Sequence, residues 1–596
     1  MADEDDLLAG SDARVAEGGG SELTGSIHRL GEPAYTRPDC WTTILQQTDK
    51  IPPMAPSPSR SAWLLLAMSG LLLAVAWALA SPVGASPDEP AHISYAWGTV
   101  TGQTLGGEHL VAVPNQIAVG ANMAPIPGAT TATRVQVPQK LLQYPPPSCY
   151  TFKPGSPTTQ CSPLPADNQQ NLAQDSYMTR YPPLFYSVEG LVLRAGVAVN
   201  LSGPLVLYSA RLAAAVLSWL TVAFGVFLLS RRFPARIILL ATLLGLPATA
   251  WFLAASVNPN GLEAAAAFLL AAGVLSVRVD FASGVRSVAA VLAVPLGSLL
   301  LAWTRPISWL WASLILGLLL VPTSQPDGLP WRRRLPVRSL GVTALAATIL
   351  VLTSSIAWFG YALQIHNIGS VTPASWIGLG PVGRIVVLLV HSGTIVTEQI
   401  GSFGWLDTSL PTVALFAWLL IAGVAAAAWS VGRNIFVPRW YLGVVLGLGY
   451  LAALLDEYRG AWAWQGRYLL PITAAVCVFA VPGLVKGLEE WTASRQAVPW
   501  MLTLLMAVNA LSVVWFLFRN AYGVKDWPGQ SPLDPVPIPT RTPSWTPPPG
   551  LGVVLALATL ALACGVVAVW KFRPVTADAE LKSYTMFEER AAVTQP

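Results

Sequence analysis

Long apolar runs, broken by short clusters of arginine and proline, fill most of this chain. A helix needs about 20 mostly apolar residues to cross the hydrocarbon core of a bilayer. Twelve runs approach that length, at roughly 63–80, 205–229, 237–254, 260–277, 287–304, 307–321, 339–361, 411–431, 441–456, 469–487, 498–517 and 551–571. Three of them are short. The pattern predicts an all-α polytopic membrane protein with about 12 transmembrane helices. Two further stretches, 183–199 and 384–400, are amphipathic and read as helices lying along the outer interface. In the second, Arg384, His391 and Glu398 recur every seven residues and form one polar stripe. That stripe either faces water or lines a cavity.

The polar stretches divide the chain. Residues 1–60 begin with an acidic run, Asp3 to Asp6, and read as a disordered cytoplasmic tail rather than a cleavable signal. A transmembrane domain follows over 61–520. It includes a long extracytoplasmic loop at 82–204. Residues 521–550 form a Pro-rich outer loop, 551–571 the last span, and 572–596 a second cytoplasmic tail. With the N-terminus inside, the short inner loops hold Arg231, Arg232, Arg236, Arg278, Arg286, Arg332, Arg333, Arg334, Arg338, Arg433, Arg439, Lys486 and Arg495. The short outer loops hold only Arg305, Arg384, Arg459 and Arg467. The positive-inside rule therefore predicts a multi-pass plasma-membrane protein with both termini cytoplasmic.

Composition agrees. Of 596 residues, 53% are hydrophobic and 11% charged, against about 25% charged in a soluble domain. That excludes a soluble enzyme and a disordered chain. A net charge of +4 is too small to indicate a nucleic-acid partner. No phosphate-binding glycine loop, zinc spacing or serine-hydrolase elbow is present, so ATP-driven transport has no support in this chain. The Ala, Val, Leu, Pro and Gly usage with little Lys suggests a high-GC bacterium such as an actinobacterium.

Candidate chemistry gathers on the outer side. Asp88 and Glu89, with His92 a turn on, sit just beyond the first span. A carboxylate there is placed to take a proton from an acceptor hydroxyl; equally, Asp88 suits the cap of a following helix. Tyr181, Pro182 and Pro183 open the first amphipathic helix, and their rings also suit a membrane interface. Arg211 lies about two turns inside the second span. It either snorkels outward or pairs with an anion such as a lipid phosphate. Arg305, Trp405, Asp407, Gln465, Arg467 and Tyr468 occupy later outer turns. Arginines suit phosphate through paired hydrogen bonds, and aromatic rings suit sugars or the interface. Cys149 and Cys161, with eleven residues between them, are expected to pair outside the membrane, with two free thiols as the alternative. Cys477 and Cys564 lie inside spans as small packing residues.

The long first outer loop with an acidic motif at its start resembles the GT-C superfamily of membrane glycosyltransferases. More narrowly, Pro87-Asp88-Glu89-Pro90-Ala91-His92, Tyr181-Pro182-Pro183, Gly404-Trp405-Leu406-Asp407 and Gln465-Gly466-Arg467-Tyr468-Leu469-Leu470-Pro471 resemble a bacterial domain-of-unknown-function family of polytopic proteins, over about 60–520. The resemblance implies a GT-C-like bundle with an extracytoplasmic active site and a polyprenyl-phosphate sugar as donor. It implies Asp88 as general base, with Glu89 second. The Tyr181-Pro182-Pro183 helix resembles the juxtamembrane helix of such enzymes. By location and charge, Arg467 and Arg211 are the donor-phosphate candidates. The family pattern departs at Asn260, where an acid is expected; Glu263 follows. Some GT-C enzymes use a divalent metal and others do not, and no cluster here requires one.

The leading expectation is a glycosyltransferase acting on an envelope glycan, lipid or protein. A transporter or flippase of lipid-linked glycans is the alternative, and a scaffold that breaks no glycosidic bond is the third.

Overall fold

A computed structural model describes residues 60–572 apart from 104–107, 117–124, 153–169, 179, 285, 324–334, 366–379, 433, 435, 459–463, 492–493 and 524–541. Both predicted tails, except Arg60 and Phe572, and most of the Pro-rich loop lie outside the described residues. The described residues belong to one compact unit.

The first span, α1 (Arg60–Leu79), leads through a short loop into α2 (Glu89–Thr101). Three antiparallel strands follow in spatial order: β1 (Glu108–Gln116), β2 (Pro125–Pro138) and β3 (Asn171–Ser176). This sheet is a departure from the all-α expectation. The alternation in Thr131-Ala132-Thr133-Arg134-Val135-Gln136-Val137 has a strand period; the surrounding prolines obscure it. The amphipathic helix α3 (Pro183–Ala198) has 16 residues, about 24 Å at 1.5 Å per residue, short of the ~30 Å core. It packs on α2 so closely at Gly190 that a Cβ there would lie 2.2 Å from the Ala96 carbonyl oxygen.

The remaining helices are α4 (Gly203–Ser230), α5 (Ala235–Gly245), α6 (Ala248–Ala254), α7 (Pro259–Ala282), α8 (Val288–Ala302), α9 (Ser308–Leu316), α10 (Gly341–Ile365), α11 (Pro381–Gly401), α12 (Thr412–Val431), α13 (Arg439–Tyr458), α14 (Leu470–Glu490), α15 (Ser494–Tyr522) and α16 (Leu551–Lys571). A two-residue hairpin, β4 (Ser402–Phe403) with β5 (Thr408–Ser409), separates α11 from α12.

Among the described residues nine helices are long and apolar enough to cross a membrane, or ten if the bent pair α5 and α6 is one span. The pair is bent by 75° at Leu246-Pro247, because Pro247 cannot donate to the preceding turn. The expected spans at 287–304, 307–321 and 441–456 form shorter apolar helices, Val288–Ala302, Ser308–Leu320 and, within α13, Arg439–Leu455. Conversely, α11, expected to lie along the interface, is long and apolar enough to cross. Its charged side chains, Arg384 and Glu398, stand near opposite ends of its 21 residues and leave an apolar middle.

The core is built on α7, whose spanning window is entirely buried. Its alanines let α4, α8 and α14 approach closely, as small residues do between membrane helices. At Gly297 of α8 a Cβ would come within 2.8 Å of the Leu270 Cα. The first and last spans pair, with the Ser69 hydroxyl donating to the Ala561 carbonyl at 2.7 Å.

Candidate active site at Asp88 and Arg467

The loop between α1 and α2 is pinned at several points. The Trp405 indole donates to the Gly84 carbonyl (3.0 Å), the Asn258 amide to the Pro87 carbonyl (2.9 Å), and the Ser86 hydroxyl to Ser256 (3.0 Å). Asp88 ends the loop in the left-handed region, at φ 61° and ψ 3°. Aspartate tolerates that region better than most residues, yet it still strains the backbone. Asp88 holds the cap position of α2, but its side chain makes no cap hydrogen bond. The carboxylate instead accepts from the Tyr177 hydroxyl on Oδ1 and from Arg467 Nη2 on Oδ2, both at 2.7 Å. Its side chain is 23% exposed. Tyr177 follows directly after β3, whose last residue, Ser176, donates to the Ala91 carbonyl of α2 at 2.8 Å. The sheet thereby sets Tyr177 beside Asp88.

Glu89 turns the other way. It is 0% exposed and receives Arg211 Nε at 2.7 Å and Nη2 at 2.6 Å. The backbone amides of Gly84 (2.7 Å) and Val257 (3.1 Å) complete its shell. Arg211 also donates to the carbonyls of Ala78, Ser81 and Pro82, closing the C-terminal end of α1. Two expectations change here. Glu89, the second base candidate, has both oxygens filled. Arg211, a donor-phosphate candidate, is 1% exposed and committed to Glu89 and to α1.

Arg467 lies in a tight turn, Gly466–Leu469, ahead of α14. Glu398 of α11 accepts from the Gly466 amide at 2.6 Å. A Cβ at Gly466 would lie 2.2 Å from the Ile395 carbonyl oxygen, so only glycine fits. Arg467 Nη2 is shared between Asp88 and the Tyr468 hydroxyl (3.3 Å). Arg305, in the turn between α8 and α9, stands with its Cζ 4.1 Å from the Tyr468 ring centroid and 5.7 Å from that of Tyr181. Glu263 holds it at 3.2 Å and itself accepts from Ser308 at 2.6 Å.

Three guanidinium nitrogens here, Nε and Nη1 of Arg467 and Nε of Arg305, are buried without a hydrogen-bond partner, as is Gln465 Oε1. Unmade hydrogen bonds of buried charged groups are expensive. An anion with several acceptor oxygens suits the three nitrogens, and a hydroxyl donor suits Gln465 Oε1.

Burial raises the pKa of Asp88, but Arg467 outweighs it and, with Tyr177, holds the carboxyl below its usual range. Asp88 is therefore ionised. Burial pushes His92 down to about 3 against the pull of Asp88, so its ring is neutral. Its Nδ1 lies 2.8 Å from the Tyr186 hydroxyl, and its ring meets that of Tyr181 edge-on at 5.8 Å. Pro182 and Pro183 form the N-terminal boundary of α3 and place Tyr181 and Tyr186 around His92.

Trp405 and Asp407, expected to meet substrate, serve the scaffold instead. Asp407 accepts from the Phe152 amide (3.0 Å) and from Arg519 (3.4 Å), and so tethers the turn that carries Cys149. Cys149 is disulfide-bonded; Cys161 lies outside the described residues. Among the described residues no three of His, Cys, Asp and Glu form a metal-holding group. Sequence reasoning missed Tyr177, which no hydropathy or motif signal marks. It noted Glu398 only as part of a stripe, although that carboxylate turns inward to the Arg467 turn.

Fold and site thus define a polytopic helical membrane protein with a preset carboxylate and two guanidiniums beside a small three-stranded sheet. The chain belongs to the family of predicted membrane proteins DUF2142, whose profile matches residues 71–476 and so includes Asp88, Tyr177, Arg305 and Arg467. No curated protein matches the chain. Among solved structures, a crystal structure of ArnT from Cupriavidus metallidurans bound to undecaprenyl phosphate is similar at 13% identity and a TM-score of 0.38, over 86% of this chain and 77% of that one.

Proposed function

We propose that this chain is a GT-C-type glycosyltransferase that moves a sugar from a polyprenyl-phosphate donor to a cell-envelope acceptor on the outer face of the membrane. The observation that carries the reading is an ionised carboxylate, Asp88, beside two arginines with unmade hydrogen bonds. In the reaction the acceptor oxygen attacks the anomeric carbon and its proton passes to Asp88. The bond from the anomeric carbon to the phosphate oxygen breaks, and its electron pair leaves with polyprenyl phosphate. Arg467 and Arg305 stabilise the charge that develops on that phosphate. A single displacement of this kind inverts the anomeric centre. Gln465 and the rings of Tyr181 and Tyr468 are the proposed sugar contacts.

Arg467→Ala tests the phosphate assignment. Hydrogen bonds to charged groups contribute about 1.5–3 kcal/mol each, so affinity for polyprenyl phosphate is expected to fall roughly 10- to 100-fold. The KM for the acceptor should change little. Equal losses for both would remove Arg467 from donor binding.

A further inference from the structure

Asp88 and a donor phosphate call on the same guanidinium. Arg467 spends Nη2 on Asp88 at 2.7 Å, while its Nε and Nη1 are buried without a partner. The two partnerless nitrogens lie on opposite edges of the planar guanidinium, and Nη2 completes either edge, so a phosphate that binds one edge through two hydrogen bonds needs an Nη2 hydrogen, and Asp88 and Tyr468 already draw on that nitrogen. The carboxylate and the phosphate then compete for it.

Asp88 has a second holder that the phosphate does not reach in this way. The Tyr177 hydroxyl meets the other carboxylate oxygen at 2.7 Å. Tyr177 follows the last strand of the sheet, apart from the turns that carry the arginines. Burial and the Asp88 charge keep its hydroxyl protonated well above the usual range, so it stays a donor.

Resting on the transferase reading above, we propose that donor phosphate draws Arg467 away from Asp88, and that Tyr177 is the positioning residue that holds the freed carboxylate toward the acceptor. The hand-over couples the two halves of the reaction. As the bond to the anomeric carbon breaks, the phosphate passes from one negative charge to two and binds Arg467 harder. Relieved of Arg467, Asp88 becomes a stronger base as the acceptor proton arrives. In the free protein the same ion pair keeps the base quiet, so donor binds before the acceptor is activated.

The groups that face Asp88 are Arg467 and Tyr468 from the turn before α14, Tyr177 after β3, His92 one turn along α2, and Tyr186 from α3, with Arg305 behind His92 and Tyr468. The tyrosines stay protonated and His92 neutral near pH 7. On the acid side Asp88 and His92 both titrate, but the Tyr177 hydroxyl bonds Asp88 while His92 meets Tyr186, so loss of the Tyr177 hydroxyl acts on the Asp88 limb.

The test measures phosphate affinity in the purified full chain. Asp88→Asn removes the competing charge and is expected to bind polyprenyl monophosphate roughly 3- to 30-fold tighter than wild type. Inorganic phosphate should show the same direction, because the competition is at phosphoryl oxygens. Equal or weaker binding of both probes by Asp88→Asn overturns the hand-over while leaving the donor reading intact. If neither wild type nor variant binds either probe, both fall. Tyr177→Phe supplies a second readout. At saturating donor, kcat/KM for the acceptor reports the enzyme–donor complex. Loss of the Tyr177 hydrogen bond raises the Asp88 pKa there, so the acid limb of the profile moves to higher pH. An unshifted limb with a uniformly lower rate overturns the Tyr177 role.

Discussion

Asp88→Asn is expected to lower sugar transfer by about 100- to 10,000-fold while the protein stays folded. The substitution preserves shape. An asparagine oxygen still accepts from Tyr177 or Arg467, and the side chain, 23% exposed, is not part of the apolar core. What it removes is the ability to take a proton. The left-handed backbone at this residue is kept, since asparagine tolerates that region as aspartate does. Purified wild type and variant are compared by initial rates at saturating donor. A rate within a few-fold of wild type would take Asp88 out of the chemistry. The size of the drop separates a base from a mere contact, which costs roughly tenfold.

The neighbouring carboxylate should behave in the opposite way. Glu89→Gln is expected to destabilise the fold by about 3–5 kcal/mol, the effect of removing one member of a buried ion pair. Glu89 accepts four hydrogen bonds from Arg211, Gly84 and Val257. A glutamine amide turns two of its hydrogens toward those donors and leaves the Arg211 charge uncompensated at 1% exposure. Arg211 also closes the end of α1, so the damage spreads to the loop that carries Asp88. Thermal unfolding in detergent measures it. A melting temperature equal to wild type would contradict the structural role and return Glu89 to the list of bases. Adding Arg211→Met removes the stranded charge and is expected to recover part of the loss.

These two residues also show where sequence reading stops. The motif Pro87-Asp88-Glu89-Pro90-Ala91-His92 was visible as a cluster, and the acid at 88 as a candidate base. The opposite fates of two adjacent carboxylates were not, because a positive φ at Asp88 sends them to different sides. Their partners are remote: Arg211 is 122 residues from Glu89 and Arg467 is 379 residues from Asp88. Charge and hydropathy placed Arg211 as an arginine in a span but gave no sign of what it faces. Arg305 and Arg467, at turns, kept their candidacy. Trp405 and Asp407 did not, since an indole and a carboxylate suit loop tethers as well as sugars. Most helix positions followed from apolar runs; α11 has the length and apolar composition of a span, although its polar stripe reads as interfacial. The sheet that carries Tyr177 was lost among prolines.

The central claim is bond transfer from a lipid-linked sugar. The most direct measurement supplies purified chain in liposomes with sugar-labelled polyprenyl phosphate and an envelope acceptor, and follows both products. The account predicts label on the acceptor and an equal amount of free polyprenyl phosphate, with neither formed by Asp88→Asn and neither formed from nucleotide sugars. Intact labelled donor appearing in the opposite leaflet, with no polyprenyl phosphate released, would contradict it and make the protein a transporter.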